Sequence, residues 1–414
     1  MPRLSTPPPT APEDDHERKR IAELRPATWA NPEPEKRYPL VVVGAGFAGL
    51  AGAELAATRG IKVALVERDF LGGTCVNTGC VPSKTIIRTS RLYAEMRDAE
   101  RYGAQMPTGI QVDFAATMER VRRIRAHLGQ SSSVRHLAAA GIYVFFGDAH
   151  FTGPDSLSVD GSTLRFDRAL IATGARPSAP PIPGLAEAGY VTNENVFELT
   201  HLPRRLLVIG GGPIGCEQAQ AFCRLGAHTT IVQIKPLFLE REERDAAQIL
   251  STALARDGVV VRLNTRVLDV RVVNGEKRVD LVSDDYHNTI VVDGILAGVG
   301  RLANIEGLGL ESAGVDYDRE RGIRVDDFLR TSNRRIHAAG DVCLEQKYGH
   351  TAITSAQMAV RNALFRGRER WSKLIIPWCT FTDPEIAHVG LYVREANRPG
   401  IPVKTRHCMM RYAW

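Results

Sequence analysis

Apolar positions along this chain fall into short, dense runs separated by glycine-rich turns. Tyr38 to Val43 is one such run, and LVVVGAGFAGLAGAELAATRG reads as strand, tight turn and helix, with IKVALVERD as the next strand. The same plan returns in RRLLVIGGGPIGCEQAQAFCRLG and HTTIVQIK, 166 residues later counting from Gly44 to Gly210. Two copies of a βαβ unit predict an α/β protein with two doubly wound, Rossmann-like domains. Strand-forming segments such as LNTRVLDVRVV and KRVDLVS, ending in turn residues, lie between and after them. The uncharged stretch from Tyr38 to Ala53 is better explained by strand, loop and helix than by a membrane span, because glycines interrupt it and Glu54 ends it.

Two polar segments break this pattern. Residues 1–38 are rich in proline and charge and predict a flexible arm. They lack the apolar core of a signal peptide. MERVRRIR at 118–125 sets four arginines at helical spacing, which reads as a solvated helix face; no aromatics interleave to suggest nucleic acid.

Composition changes this picture little. The 414 residues are 44% hydrophobic and 24% charged, which excludes a disordered or fibrous chain and leaves room for two to three domains. The net charge of +6 is too mild to indicate a nucleic-acid partner. Seven cysteines form no secreted disulfide framework, so a reducing compartment, the cytoplasm, is expected.

The candidate chemistry sits in three motifs. Gly44-Ala45-Gly46-Phe47-Ala48-Gly49 follows a strand and opens a helix, the context in which glycines turn tightly and admit a pyrophosphate to the helix N-terminus. Glu67 stands 23 residues past Gly44, where an acid would grip ribose hydroxyls. The second copy, Gly210-Gly211-Gly212-Pro213-Ile214-Gly215, has Gln233 at the equivalent place with Lys235 beside it. The missing carboxylate favours NADPH over NADH; an exposed Gln and Lys without a selectivity role is the rival account. The third motif is GGTCVNTGCVPSK at 72–84. Its Cys75 and Cys80 admit three readings: zinc ligands, inert buried thiols, or a redox pair at a helix start that lowers a thiol pKa. Zinc would need further ligands, and no histidine lies between His16 and His127. No metal site is expected.

Taken with ATGARP at 172–177 and AAGDV at 338–342, these motifs in this order resemble the class I pyridine nucleotide-disulfide oxidoreductases. Within that family CVNTGCVPSK and IPWCTFTDPEIAHVG (376–390) look most similar to mercuric reductases, with dihydrolipoyl dehydrogenase the near neighbour. The resemblance implies an FAD site at Gly44, Gly46, Gly49, Glu67, Thr74, Ala149, Thr173, Gly174 and Asp341, and an NADPH (or NADH) site at Gly210, Gly212, Gly215, Glu217, Gln233 and Gly300. It implies that Cys80 is the thiolate beside the flavin and Cys75 the outer thiol that meets substrate. Lys84, paired with Glu217, matches the lysine near flavin N5; a purely structural ion pair is the rival. Cys216, Cys223, Cys343 and Cys379 are expected to be packing residues. Pro213 stands where some relatives carry an aromatic gate, and RLAN at 301–304 replaces the commoner RxPN.

The implied organisation is an arm over 1–38, an FAD-binding domain over 39–190 and 303–373, an NAD(P)-binding domain over 191–302, and the start of a dimerisation domain over 374–414. The family forms homodimers through that last domain, so a shortened, apolar and exposed interface is expected here, with Cys408 in place of a paired-cysteine ending. The implied activity carries electrons from NAD(P)H through FAD to Cys75–Cys80 and on to a small-molecule or metal-ion acceptor, without nucleic-acid or membrane partners. The alternatives are a dihydrolipoyl dehydrogenase-like activity and a flavin-binding diaphorase lacking native turnover.

Overall fold

The computed structural model describes residues 13–105, 109–284, 286–397, 400, 402–406 and 408. The apolar run Tyr38–Val43 is the middle of a parallel sheet, buried on both faces, which is why it carries no alternation. Its order is Ile142–Phe146, Val63–Glu67, Tyr38–Val43, Ser162–Ile171, Ile336–Ala338. The first half of Ser162–Ile171 leaves this sheet to join an antiparallel meander with Ser156–Val159 and His150–Gly153.

A second parallel sheet repeats the plan in the order Val260–Arg262, His228–Val232, Arg205–Ile209, Gly294–Ala297. A parallel bridge from Val191 to Leu296 stands where the fifth strand would be. Its own antiparallel meander is Arg266–Val273, Glu276–Val282, His287–Val292. The duplication therefore extends from the glycine loops to strand order and crossover, the α/β architecture that the repeat predicts. Helices Phe47–Ala57 and Gly349–Leu364 cover one face of the first sheet together. Gly52 lets them close in: a Cβ there would lie 2.7 Å from Leu170 and 3.3 Å from Val360.

Further along, Trp378–Thr380 pairs with Ile386–His388. This hairpin sits on the helix Pro213–Arg224, where the Asp383 amide donates to Gln220 Oε1 at 2.7 Å and Gln220 Nε2 returns a bond to the Asp383 carbonyl at 2.8 Å. Ile375, Val389 and Leu391 are 71%, 68% and 66% exposed, so apolar surface does face solvent here. Residues 409–414 lie outside the described residues. No helix among the described residues is long and apolar enough to cross a membrane.

Two expectations are overturned together. Residues 15–24 of the supposed flexible arm form a helix, capped by Asp14, whose side chain accepts from the Glu17 amide. Residues 1–12 lie outside the described residues. Two of the four arginines expected to be solvated on the helix Phe114–Gly129 face the docked helix instead: Arg122 and Arg125 are 6% and 1% exposed, while Arg123 is exposed and Arg120 half-buried. Arg125 pairs with Glu17 at 2.8 Å and with Glu198, and Arg122 pairs with Asp14. Leu24 is fully buried against Gly129, a burial that contributes about 2 kcal/mol. Buried charge is tolerated because each arginine meets a carboxylate.

Candidate active site

Both glycine loops have the same steric logic. Gly44 and Gly210 have φ of +100° and +110°, and a Cβ at either would strike a carbonyl of the neighbouring strand's end, Ala172 at 2.4 Å or Gly298 at 2.5 Å. At Gly49 and Gly215 a Cβ would lie 1.7 and 2.0 Å from the Gly44 and Gly210 carbonyl oxygens, so only glycine lets each helix sit this close to its strand. The middle glycines differ. At Gly46 a Cβ would meet nothing nearer than 3.8 Å, and at Gly212 nothing within 4 Å. They border open space at the starts of Phe47–Ala57 and Pro213–Arg224, where unpaired N–H groups gather. That cradle fits the pyrophosphate of a dinucleotide.

The residues at the ends of the two second strands also correspond. Glu67 accepts the Ala45 amide at 2.7 Å through Oε2 and the Asp69 amide at 2.8 Å through Oε1. Burial raises its carboxyl pKa, against the lowering effect of those two bonds. Gln233 does the same with a neutral amide: Oε1 accepts from Gly211 N at 3.1 Å and Nε2 donates to the Leu237 carbonyl. Lys235 is exposed and held by Glu240 at 2.7 Å.

The other residues implied by the resemblance have local contacts of their own. The Thr74 carbonyl accepts from Thr78, and Ala149 is buried between two strands. The Thr173 hydroxyl donates to the Asn304 carbonyl at 2.7 Å, while Gly174, at φ +69°, accepts the Asn304 amide. Gly300, at φ +117°, accepts from Ser178 N at 2.9 Å. Asp341 lies in the short 3₁₀ turn Gly340–Val342 and pairs with Arg301 at 2.6 Å; burial raises its carboxyl pKa and Arg301 opposes that shift.

The cysteines meet where two helical segments join, Cys75 half-buried and Cys80 exposed. Cys75 lies in the short helix Gly73–Asn77, and Cys80 begins the helix Cys80–Asp98. Their Sγ atoms are 2.8 Å apart, so a small closure completes a disulfide. On the Cys75 side the chain packs tightly, since a Cβ on Gly349 would lie 3.3 Å from its sulfur and 3.4 Å from the Phe47 ring. In the dithiol form Cys80 is lowered from 9.0 to about 7, first by the hydrogen bond with Cys75 and then, against the cost of burial, by Lys84 and Arg301. The same hydrogen bond and burial push Cys75 up. One sulfur is thus suited to be thiolate and the other thiol at neutral pH. For the reduced protein, the ultraviolet thiolate absorbance assigned to Cys80 is expected to rise with pH around 7. A midpoint near 9, as for a free thiol, would show that neither partner nor charge acts on it.

Lys84, one turn into the same helix, donates to Glu217 Oε2 at 2.9 Å and lies 4.5 Å from the centre of the Phe381 ring. Glu217 is 5% exposed and also accepts the Phe381 amide at 2.9 Å, so the pair spans both halves of the duplication. Cys216 is fully buried, and its thiol is pushed up by that burial; Cys223, Cys343 and Cys379 are half-buried, and burial raises their pKa values too. Two charged neighbours were not singled out from sequence. Arg301 was visible only as a loop match after Gly300, and Lys347, which donates to the Asp341 and Leu344 carbonyls, gave no signal at all.

Comparison with known proteins agrees with this geometry. The family model of pyridine nucleotide-disulphide oxidoreductases matches residues 38–363. The chain is 33% identical over 371 residues to the mercuric reductase of Lysinibacillus sphaericus, covering 90% of this chain and 68% of that protein. It is 31% identical over 365 residues to the dihydrolipoyl dehydrogenase of Bacillus subtilis (strain 168), covering 86% and 78%. The HOCl-induced flavoprotein disulfide reductase RclA from Escherichia coli superposes with a TM-score of 0.78 at 29% identity, covering 88% of this chain and 80% of that one. With its paired Gly loops, its adjacent cysteines and a family match over most of its length, this chain belongs to the pyridine nucleotide-disulphide oxidoreductases and is a flavoprotein disulfide oxidoreductase that uses FAD and NAD(P)H.

Proposed function

We propose that this protein is a mercuric reductase-like enzyme, moving electrons from NADPH to the Cys75–Cys80 pair and then to a soft, thiol-reactive acceptor such as Hg(II). The observation that carries the reading is the 2.8 Å approach of the two sulfurs beside the Lys84–Glu217 pair. FAD, when bound, supplies two-electron chemistry between the nicotinamide and the disulfide. The rest falls to the chain's own residues.

Gly44, Gly46 and Gly49 admit the flavin nucleotide's pyrophosphate, and Glu67 is aligned by two amides to meet its ribose. Thr74, Ala149, Thr173 and Gly174 form the wall beside it, with Asp341 oriented by Arg301. Gly210, Gly212 and Gly215 receive the nicotinamide nucleotide, with Gly300 on the opposite loop. Gln233 occupies Glu67's place without a charge, so a 2′-phosphate meets no repulsion there. Glu217 fixes the Lys84 ammonium, whose positive charge favours the Cys80 thiolate. Breaking the disulfide takes two electrons and one proton, leaving Cys80 as thiolate and Cys75 as thiol. The outer Cys75 then gives up its proton to bind the acceptor, and passage of the electron pair onward restores the disulfide. For mercury the balance is NADPH + Hg²⁺ → NADP⁺ + H⁺ + Hg⁰.

The decisive experiment is anaerobic oxidation of NADPH, and separately of NADH, by the FAD-loaded protein with Hg(II) held as a bis-thiolate complex. Turnover with release of volatile mercury, faster with NADPH, is expected. Turnover with lipoamide and NADH instead would replace this reading with the dihydrolipoyl dehydrogenase one. Reduction of ferricyanide alone would leave only diaphorase activity.

A further inference from the structure

The residue near the middle of the Cys75–Cys80 segment is held in part from upstream of the family match, which begins at residue 38. Asn77 is 7% exposed, and every polar group of its side chain is used. Its Nδ2 donates to the Leu71 and Gly73 carbonyls, both at 3.0 Å. Its Oδ1 accepts from Arg20 at 2.7 Å, and its backbone carbonyl accepts from Arg125 at 3.1 Å. Arg20 comes from the helix Asp15–Leu24, upstream of residue 38, where the family match begins. It lies 4.2 Å from the centre of the Phe70 ring and grips Glu17 through Nε at 3.0 Å. Glu17 in turn binds Arg125 at 2.8 Å. Arg20, Glu17 and Arg125 thus close a buried ring around the peptide that links Cys75 to Cys80.

We infer that this N-terminal helix is a clamp on the redox loop, with Arg20 a positioning residue for the Cys75–Cys80 pair. A guanidinium suits the task because its planar fork serves Glu17 and Asn77 at once while stacking on Phe70. The positive charges of Arg20 and Arg125 are matched by Glu17 and Glu198, so the ring acts through geometry. With Asn77 fixed on four sides the loop keeps its sulfurs adjacent. Without the clamp it samples wider conformations, and the effective concentration of one thiol at the other falls. A disulfide then becomes less favoured relative to the dithiol. The inference rests on the functional reading in one respect, that Cys75 and Cys80 cycle between those two states.

The test is a thiol–disulfide equilibrium of the FAD-loaded protein against a dithiothreitol buffer, quenched by alkylation and scored by mass. The balance is protein disulfide plus buffer dithiol giving protein dithiol plus cyclic buffer disulfide. Arg20→Ala is expected to shift that equilibrium roughly tenfold toward the dithiol, about 30 mV. Arg20→Lys, which keeps the charge but replaces the planar fork with a single nitrogen, is expected to recover part of the shift. Arg25→Ala, on the same segment but contacting Asp69 and the Arg68 carbonyl instead, is expected to match wild type. Flavin content and melting temperature are recorded for each; if Arg20→Ala does not fold, the Arg20→Lys shift decides alone. An unchanged equilibrium in Arg20→Ala, or in Arg20→Lys when only that variant folds, overturns the clamp and leaves the functional reading intact. A wild-type protein whose Cys75 and Cys80 form no disulfide overturns the functional reading first, and the clamp with it.

Discussion

Cys80→Ser is expected to lower NADPH-driven reduction of a disulfide or Hg(II)-thiolate acceptor by roughly 10³-fold or more, the scale of losing a covalent catalytic group. Ferricyanide reduction is expected to stay within about threefold of wild type, since it needs no sulfur chemistry. The reason lies in the division of roles between the sulfurs. Cys80 opens the helix Cys80–Asp98, and its pKa is lowered to about 7, first by Cys75 and then by Lys84 and Arg301. A serine hydroxyl in that place ionises too weakly to serve, and it cannot form the disulfide. Anaerobic titration with NADPH, following the visible spectrum, measures both halves. Wild type should develop a long-wavelength thiolate-to-flavin band, and Cys80→Ser should bleach without it. Undiminished turnover with Hg(II)-thiolate in Cys80→Ser would sink the assignment of Cys80.

Glycine-to-alanine changes at the third position of each Gly loop should separate the two cofactors. At Gly215 a Cβ would lie 2.0 Å from the Gly210 carbonyl oxygen, a contact no real Cβ makes, so the helix Pro213–Arg224 must move off its strand. Overpacking of this kind costs about 3 kcal/mol. If that cost falls on the nucleotide-binding geometry, kcat/KM for NADPH drops by roughly 100-fold. Gly215→Ala should therefore purify yellow, with FAD bound, yet be reduced only slowly by NADPH. Gly49→Ala meets a harder clash, 1.7 Å from the Gly44 carbonyl oxygen, in the loop that supports the flavin nucleotide. It should purify colourless or fail to fold. Steady-state kinetics and the ratio of flavin to protein check both. A Gly215→Ala protein with wild-type NADPH affinity would show that the second loop does not receive the nicotinamide nucleotide.

Much of this site was legible because its requirements are local. Gly44 and Gly210 need positive φ, and Gly49 and Gly215 need room for a carbonyl five residues back, so spacing alone reveals them. Gln233 could be set against Glu67 by counting, and both side chains prove to bind the same amide position in their loops. Lys235 illustrates the limit of such counting, since its ammonium is engaged by Glu240, five residues on.

The doubled α/β plan, the two nucleotide loops and the candidate redox pair can be read from the order of residues alone. In each case the cause lies within one turn, one strand or one short loop, where sterics act on neighbours. Where the charged side chains would be used depends instead on contacts between distant parts of the chain. Asp14 and Glu17 meet Arg122 and Arg125 across 108 residues of chain, and each partner alone looks solvated because burying either unpaired is costly. Together they neutralise one another. An apparent flexible arm and an apparent surface stripe thereby become a buried ring around Asn77, between the two cysteines.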